Sequence, residues 1–189
     1  AQEEARTIML STHNLLKPAT GEPVIVPGQD VVLGCYYATL ATATAPHEKM
    51  RTFKDVDELL LAFSNNLISY HNLIKVRIES GELLETTLGR ILLNQIIPRG
   101  VMPYINEPVI KKTLKNILGA IYAKLGNEPT AKFADDLKNL GFQFATASGA
   151  TFSATDINIP PTKPKIIGEA ETRVEQIRQQ YKDGLITAD

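Results

Sequence analysis

The side chains of this sequence that could do chemistry are few and scattered. Its three histidines, His13, His47 and His71, stand in unrelated contexts, none with a carboxylate or second ligand at metal-binding spacing, so a structural or surface role is expected for each. Asp55, Asp57 and Glu58 form the densest acidic group, but they fall where a helix is expected to begin, and negative charge there complements the first-turn dipole. Lys111, Lys112 and Lys115 form the densest basic set, on the polar side of an amphipathic helix, where a solvated face is expected. The single cysteine, Cys35, cannot form an internal disulfide and lies in the apolar run Val31, Val32, Leu33, Tyr36, Tyr37, which predicts a buried thiol and fits a reducing cytoplasm. There is no glycine-rich phosphate loop, no cysteine pair, no His-Glu-x-x-His, no Gly-x-Ser-x-Gly elbow and no series of alternating aspartates. The residues therefore describe a domain without catalytic equipment of its own.

The elements that must position these residues follow from length and pattern. The 189 residues suit one compact domain plus an appendage, since domains run to roughly 150 residues. Apolar residues make up 43% and charged residues 22%, as in ordinary globular domains, and a net charge of -1 gives no global basic field to hold nucleic acid or an anionic membrane. No stretch is apolar enough for a membrane span, and the opening Ala-Gln-Glu-Glu-Ala-Arg has no signal pattern. A helical pattern is already under way at Ala1, so a piece of a longer chain is expected.

Ala5, Ile8 and Met9 predict a helix behind Glu3 and Glu4. From Ser11 to Asp30, Pro18, Gly21, Pro23, Pro27 and Gly28 predict a long ordered loop whose Val24, Ile25 and Val26 should be buried. Over Val31 to Thr39 a helix capped by Asp30 is expected, although the paired Val and paired Tyr suit a strand equally and so short a run has no deciding period; an exposed connection is expected over Thr42 to Lys49, and a helix from Lys54 or Asp55 to Asn65-Asn66. Ile74, Val76 and Ile78 alternate with Lys75 and Arg77, and Ser80-Gly81-Glu82 turns the strand back through Leu83 to Thr86. Further helices are predicted from Leu88 to Ile97, stopped by Pro98, and from Glu107 to Leu125, capped by Asn106. Another is expected from Thr130 to a stop at Gly141, and a last one carries Ile167, Ala170, Val174, Ile177 and Tyr181 at coiled-coil spacing before Gly184. The fold class is α+β, predominantly helical with a small antiparallel hairpin, ending in a projecting coiled-coil-like helix. The Pro160-Pro161 break divides it into 1–160 and 161–189.

Longer residue strings carry more. Met9-Leu10-Ser11-Thr12-His13-Asn14, Pro18-Ala19, Gly21-Glu22-Pro23, Val26-Pro27-Gly28-Gln29-Asp30 and Leu33-Gly34-Cys35-Tyr36-Tyr37 follow one another near the start. His71, Lys75-Val76-Arg77-Ile78, Thr86-Thr87, Gly89-Arg90, Asn94 and Pro98 come next, then Phe133-Ala134-Asp135, Leu140-Gly141-Phe142, Ala145-Thr146 and Ser148-Gly149. Ile166-Ile167, Glu169-Ala170-Glu171, Gly184-Leu185 and Thr187-Ala188 close the series. In content and order this resembles the largest (beta-prime) subunit of bacterial RNA polymerase, over essentially the whole chain.

The resemblance implies a place in DNA-directed RNA polymerase, a nucleotidyltransferase. Residues 1–160 would form the pore region that walls the secondary channel, by which nucleoside triphosphates are thought to reach the active centre. Residues 161–189 would form the first arm of the helical hairpin at its rim, a docking place for secondary-channel factors. The implied partners are the other polymerase subunits, and DNA template, RNA and nucleoside triphosphates through the assembly, with no membrane; the implied location is the cytoplasm, with the nucleoid. No cofactor is expected in this chain: the family's Asn-Ala-Asp-Phe-Asp-Gly-Asp loop, which holds the catalytic magnesium of the parent enzyme, would lie upstream of Ala1, and the isolated chain should be inactive. No residue is catalytic; Ser11, Thr12, Asn14, Gln29, Asp30, Thr86, Thr87, Arg90 and Asn94 are expected as scaffold next to the active centre, most of them bracing backbone. Arg90 is expected to reach beyond the chain, since a guanidinium is a planar fork for carboxylates or phosphates.

Two departures from the family stand out. Where many proteobacterial relatives carry Lys-Pro-Thr and then Ile and Tyr around Phe-Ala-Asp, a region linked to a guanosine tetraphosphate alarmone, this chain has Glu128-Pro129-Thr130, Lys132 and Asn139, keeping Asp135, which argues against alarmone binding there. His13 replaces the usual Asn. Two rival classes are a stand-alone nucleic-acid-binding module, disfavoured by near-neutral charge and only six Tyr, six Phe and no Trp, and a small-molecule enzyme, for which no convergent polar site is legible.

Overall fold

The computed structural model describes residues 1–42, 50–78 and 81–187. Of the connection expected over Thr42 to Lys49, all but Thr42 lies outside the described residues, His47 included, as does Ser80 of the predicted turn. The chain divides into two compact units, Ala1–Ala150 and Thr151–Asp189.

The first unit opens with a short turn, α1 (Gln2–Glu4), that widens into a π-helical turn over Ala5–Met9; Ile8 and Met9 remain exposed. The predicted loop closes on itself: the N–H of Lys17 donates to the Glu22 carbonyl at 2.8 Å and that of Val24 to Leu15 at 2.8 Å. Leu15 is the side chain it buries, whereas Val24 and Ile25 are 51% and 40% exposed, contrary to expectation, because the self-pairing turns them outward.

Helix α2 (Gln29–Thr39) confirms the helical reading, with Gly28 rather than Asp30 at its N-cap. Strand β1 (Thr52–Phe53) precedes α3 (Val56–Ser64), whose N-cap Asp55 accepts the Glu58 N–H at 2.9 Å while the Glu58 carboxylate accepts the Lys54 N–H at 2.6 Å. The acidic group thus caps a helix, as expected. Strands β2 (Ile74–Arg77) and β3 (Leu83–Thr86) form the predicted antiparallel hairpin, with Val76 opposite Leu84. Strand β1 adds to it in parallel, Phe53 opposite Val76, giving the order β1-β2-β3. Two residues are too few for a period, which is why β1 was not legible.

Helix α4 (Leu88–Ile96) starts at the N-cap Thr87 and stops before Pro98. Helix α5 (Lys111–Leu125) begins at Lys111, not Glu107, and Asn106 is not its cap. Residues 106–109 are held outside the helix by other partners: Asn106 binds Arg90 and Glu85, and the Val109 N–H donates to Thr39 Oγ1 at 2.9 Å. Helix α6 (Asn127–Ser148) runs straight through Gly141, and Thr130 is an internal residue whose hydroxyl donates back to Gly126. Gly141 is there for contact: a Cβ on it would lie 2.8 Å from Val31 Cα, and one on Gly34 only 1.8 Å from the Gly141 carbonyl oxygen. Helices α2 and α6 therefore cross backbone to backbone.

Two cores result, and α4 stands between them. Leu93 joins Cys35, Leu114, Ile117, Leu118, Ile121, Phe133 and Leu137 on the helical side. Leu88 and Ile91 face Phe53, Leu59, Ile74 and Val76 on the sheet side. Each fully buried side chain of this kind contributes roughly 1.5 to 3 kcal/mol. In the second unit, α7 (Lys163–Lys182) starts with proline in its first turn and ends before Gly184, whose φ is 74°, as the pattern predicted; none of its residues is buried.

Candidate functional site

The third face of α4 is polar. Residues 87, 90 and 94 recur at helical spacing, so Thr87, Arg90 and Asn94 project together toward the end of α2 and the segment 98–110. Arg90, 8% exposed, donates from Nε to the Thr39 carbonyl at 3.0 Å and from Nη1 to the Asn106 carbonyl at 2.8 Å and its Oδ1 at 3.2 Å. Asn94 Nδ2 donates to the carbonyls of Arg90 and Ile105, and its Oδ1 accepts the Ile105 N–H at 2.9 Å. Asn106 Nδ2 donates to the Glu85 carbonyl of β3 at 2.7 Å. Thr87 Oγ1 accepts the Arg90 N–H, and the Thr86 and Tyr104 hydroxyls share a hydrogen bond of 3.2 Å. Thr39, fully buried, completes the knot: its hydroxyl donates to the Cys35 carbonyl and accepts from Val109.

Four segments meet here, and the contacts to Thr39, Glu85, Ile105, Asn106 and Val109 satisfy backbone groups at the ends of regular structure or outside it. Arg90 has no carboxylate partner among the described residues; its charge is set against the last carbonyls of α2, where the helix dipole is negative. Burial pushes the guanidinium below its ordinary value, opposed by Tyr104 and Glu107, and it stays charged. Burial likewise raises the Tyr104 hydroxyl, against its bond to Thr86 and the nearby Arg90. Arg90 was expected to reach outward, but Nε and Nη1 are turned inward, because the open carbonyls of Thr39 and Asn106 lie within its reach.

Thr86, Thr87, Arg90 and Asn94 are thus brought together, while the earlier residues lie elsewhere in the chain's structure. Asn14 Nδ2 donates to the carbonyls of Ile8 and Leu10, bracing the opening turn. Ser11, Thr12, Gln29 and Asp30 are exposed, and their side chains meet no hydrogen-bond partner among the described residues. Gln29 holds φ at 48°, which a non-glycine residue adopts at a cost. The loop is fastened by Lys115 Nζ to Glu22 at 2.8 Å, which also lowers the Glu22 carboxyl, and by Asn127 Nδ2 to the His13 carbonyl at 3.4 Å.

Thr39, Tyr104 and Asn106 are members of the knot that the sequence reading missed. The run Thr-Thr-x-Gly-Arg-x-x-x-Asn, with three polar residues on one face of an apolar helix, was the signal for such a cluster. His71 follows its expected structural role: Nε2 donates to the Tyr37 carbonyl at 2.7 Å, and the two rings meet edge to face at 4.5 Å. Cys35 is fully buried, and burial pushes its thiol up to about 12. No group of three or more His, Cys, Asp or Glu that could hold a metal ion occurs among the described residues. No described helix is long and apolar enough to cross a membrane.

A helix-rich α+β scaffold knotted by buried polar side chains is the class that fold and site define. Residues 14–157 match the family model of RNA polymerase Rpb1, domain 3, and the chain belongs to that family. It is 47% identical over 189 residues to DNA-directed RNA polymerase subunit beta' of Desulforudis audaxviator (strain MP104C), and 46% identical to that of Pelotomaculum thermopropionicum. Both matches cover 100% of this chain and 16% of the relative. The subunit beta' of Coxiella burnetii (strain Dugway 5J108-111) is 43% identical over 201 residues, 99% of this chain and 14% of the relative. The chain therefore spans about a sixth of the length of the first two of these relatives.

Proposed function

We propose that this chain works within the beta-prime subunit of a DNA-directed RNA polymerase, as rigid wall of the secondary channel beside the active centre. Its partners are the other polymerase subunits and, through the assembly, DNA template, RNA and nucleoside triphosphates, in the cytoplasm with the nucleoid. On this reading the magnesium ion of nucleotidyl transfer is held by a loop outside this chain, in keeping with the finding that no group of three or more His, Cys, Asp or Glu among the described residues could hold a metal ion.

One observation carries the reading of roles: the family-signature residues separate into a buried knot and an exposed, unpaired set. Thr86, Thr87, Arg90 and Asn94 hold the architecture. Ser11, Thr12, Gln29 and Asp30 are left free to meet substrate or the neighbouring catalytic loop. The rim helix α7 supplies one arm of a hairpin for secondary-channel factors.

The test is nucleotide addition by reconstituted polymerase whose full-length subunit carries Gln29→Ala or Asp30→Ala. Nucleotide addition should fall at least several-fold while subunit stability is unchanged. Unaltered addition in both variants would contradict a place beside the active centre.

A further inference from the structure

Beside the sheet-side core lies a hollow apart from the exposed set, bordered at its inner end by Asn94 and Tyr104 of the knot. Strand β1, helix α3 and strand β2 form a small parallel crossover, Thr52 paired with Lys75 and Phe53 with Val76. Beyond the carboxyl ends of these two strands is a cleft of about 910 Å³ lined in part by Phe53, Lys54, Asp55, Arg77, Leu83 and Gln95. Ligands of parallel sheets gather at such strand ends. Continuous with it, through the shared Val56, Ile78 and Gln95, is a more enclosed recess of about 220 Å³. Val56, Ile78, Ile91 and Ile97 supply its apolar surface, and Asn94, Gln95, Arg99 and Tyr104 its polar groups.

The polar groups differ in what they can still offer. Asn94 spends both its amide nitrogen and its oxygen on Arg90 and Ile105. Tyr104 is bonded to Thr86. Gln95 is exposed and meets no hydrogen-bond partner among the described residues, and it lines recess and cleft alike. A free carboxamide presents a donor and an acceptor side by side, the complement of a lactam edge. At the wide mouth Lys54 and Arg77 face Asp55 and Asp57, opposite charges in equal number, so a strongly charged ligand gains little. The recess is larger than the roughly 150 Å³ that accepts benzene and smaller than the roughly 300 Å³ at which drug-sized pockets begin.

We propose that this recess is a binding site for a neutral, planar molecule of one or two fused rings bearing a lactam edge, the rings lying among Val56, Ile78, Ile91 and Ile97 and the edge pairing with Gln95. The site is independent of the transcription reading. Its occupant would brace α4 against α3 from the side opposite the helical core.

Saturation-transfer NMR of quinolin-2-one with the 189-residue chain tests it, against Gln95→Ala, Val56→Phe and the distant control Gln143→Ala. Saturable binding at or below about millimolar is expected for the wild type and the control, several-fold weaker binding for Gln95→Ala, in line with one lost hydrogen bond, and none for Val56→Phe, whose ring fills the recess. Gln95 lies on the surface, so its variant decides the matter even where Val56→Phe fails to fold. No saturable binding, or binding indifferent to Gln95→Ala, overturns the proposal.

Discussion

Gly34 of α2 and Gly141 of α6 meet so closely that a Cβ on Gly34 would sit 1.8 Å from the Gly141 carbonyl oxygen. That atom is backbone and cannot swing aside. Gly34→Ala must push the two helices apart and disturb the core around Cys35 and Leu137, at a loss of about 3 kcal/mol or more. Gly119, in α5, is the contrast, because a Cβ there meets nothing within 4 Å. Gly119→Ala should gain about 0.5 to 1 kcal/mol from helix propensity. Urea unfolding midpoints of the two variants should shift in opposite directions; a neutral Gly34→Ala would mean that the crossing is looser than described.

Arg90 should behave as a structural cation. In Arg90→Met the carbonyls of Thr39 and Asn106 lose their charged donor, and about 2 to 4 kcal/mol of stability should go with it. Arg90→Lys should recover only part, because an ammonium cannot span two carbonyls in the plane of a guanidinium fork. Asn94→Ala should cost about 1 to 3 kcal/mol by stranding both the N–H and the carbonyl of Ile105. Thermal unfolding of the three variants gives the order directly, and an Arg90→Lys as stable as wild type would refute the role assigned to the fork.

The knot also marks where sequence stopped being a guide. Helices α3 and α4, the β2-β3 hairpin and the burial of Cys35 follow from period and composition, because each is set by residues close together in the chain. Gly141 and Asn106 did not follow. Glycine near a helix end reads as a stop, but here it answers Gly34, far away in sequence; asparagine before a helix reads as a cap, but here its side chain is engaged by Arg90 and Glu85. Both functions depend on partners that only the folded chain brings near. The exposed Ser11, Thr12, Gln29 and Asp30 were expected chiefly to brace the open backbone of the loop, and Asp30 to cap α2; their side chains do neither among the described residues, because the loop pairs with its own backbone and Gly28 takes the N-cap.

The Cys35 thiol makes stability depend on alkaline pH. Burial raises it from the ordinary 9.0 to about 12, so the folded chain favours the neutral thiol. That preference is fully present below pH 9 and fades as pH climbs toward 12, since the unfolded chain loses its proton first. The whole effect is at most roughly 4 kcal/mol. Stability of the wild type relative to Cys35→Ala should therefore be level up to pH 9 and decline above it. A difference independent of pH from 8 to about 11 would show that the thiolate is tolerated where it sits.

The last expectation concerns α7, whose Ile167, Val174, Ile177 and Tyr181 keep coiled-coil spacing yet are 44%, 47%, 47% and 55% exposed. Helices in proteins owe most of their stability to packing of an apolar face, which α7 leaves open, and the Lys165 to Glu169 pair at 3.9 Å adds only tenths of a kcal/mol. Each seam residue would gain roughly 1.5 to 3 kcal/mol on full burial, so together they forgo an amount comparable to the stability of a small domain. Two copies aligned along the seam would recover part of it. At low concentration the amides beyond Thr172 should exchange rapidly; at high concentration they should gain protection as a weak dimer appears in sedimentation. Val174→Glu with Ile177→Glu should abolish both the dimer and the protection, because two carboxylates in a closed seam cost more than the burial returns. If the wild type stays monomeric at every concentration while α7 is fully protected, the seam is satisfied within a single chain, and its reading as one arm of a hairpin fails.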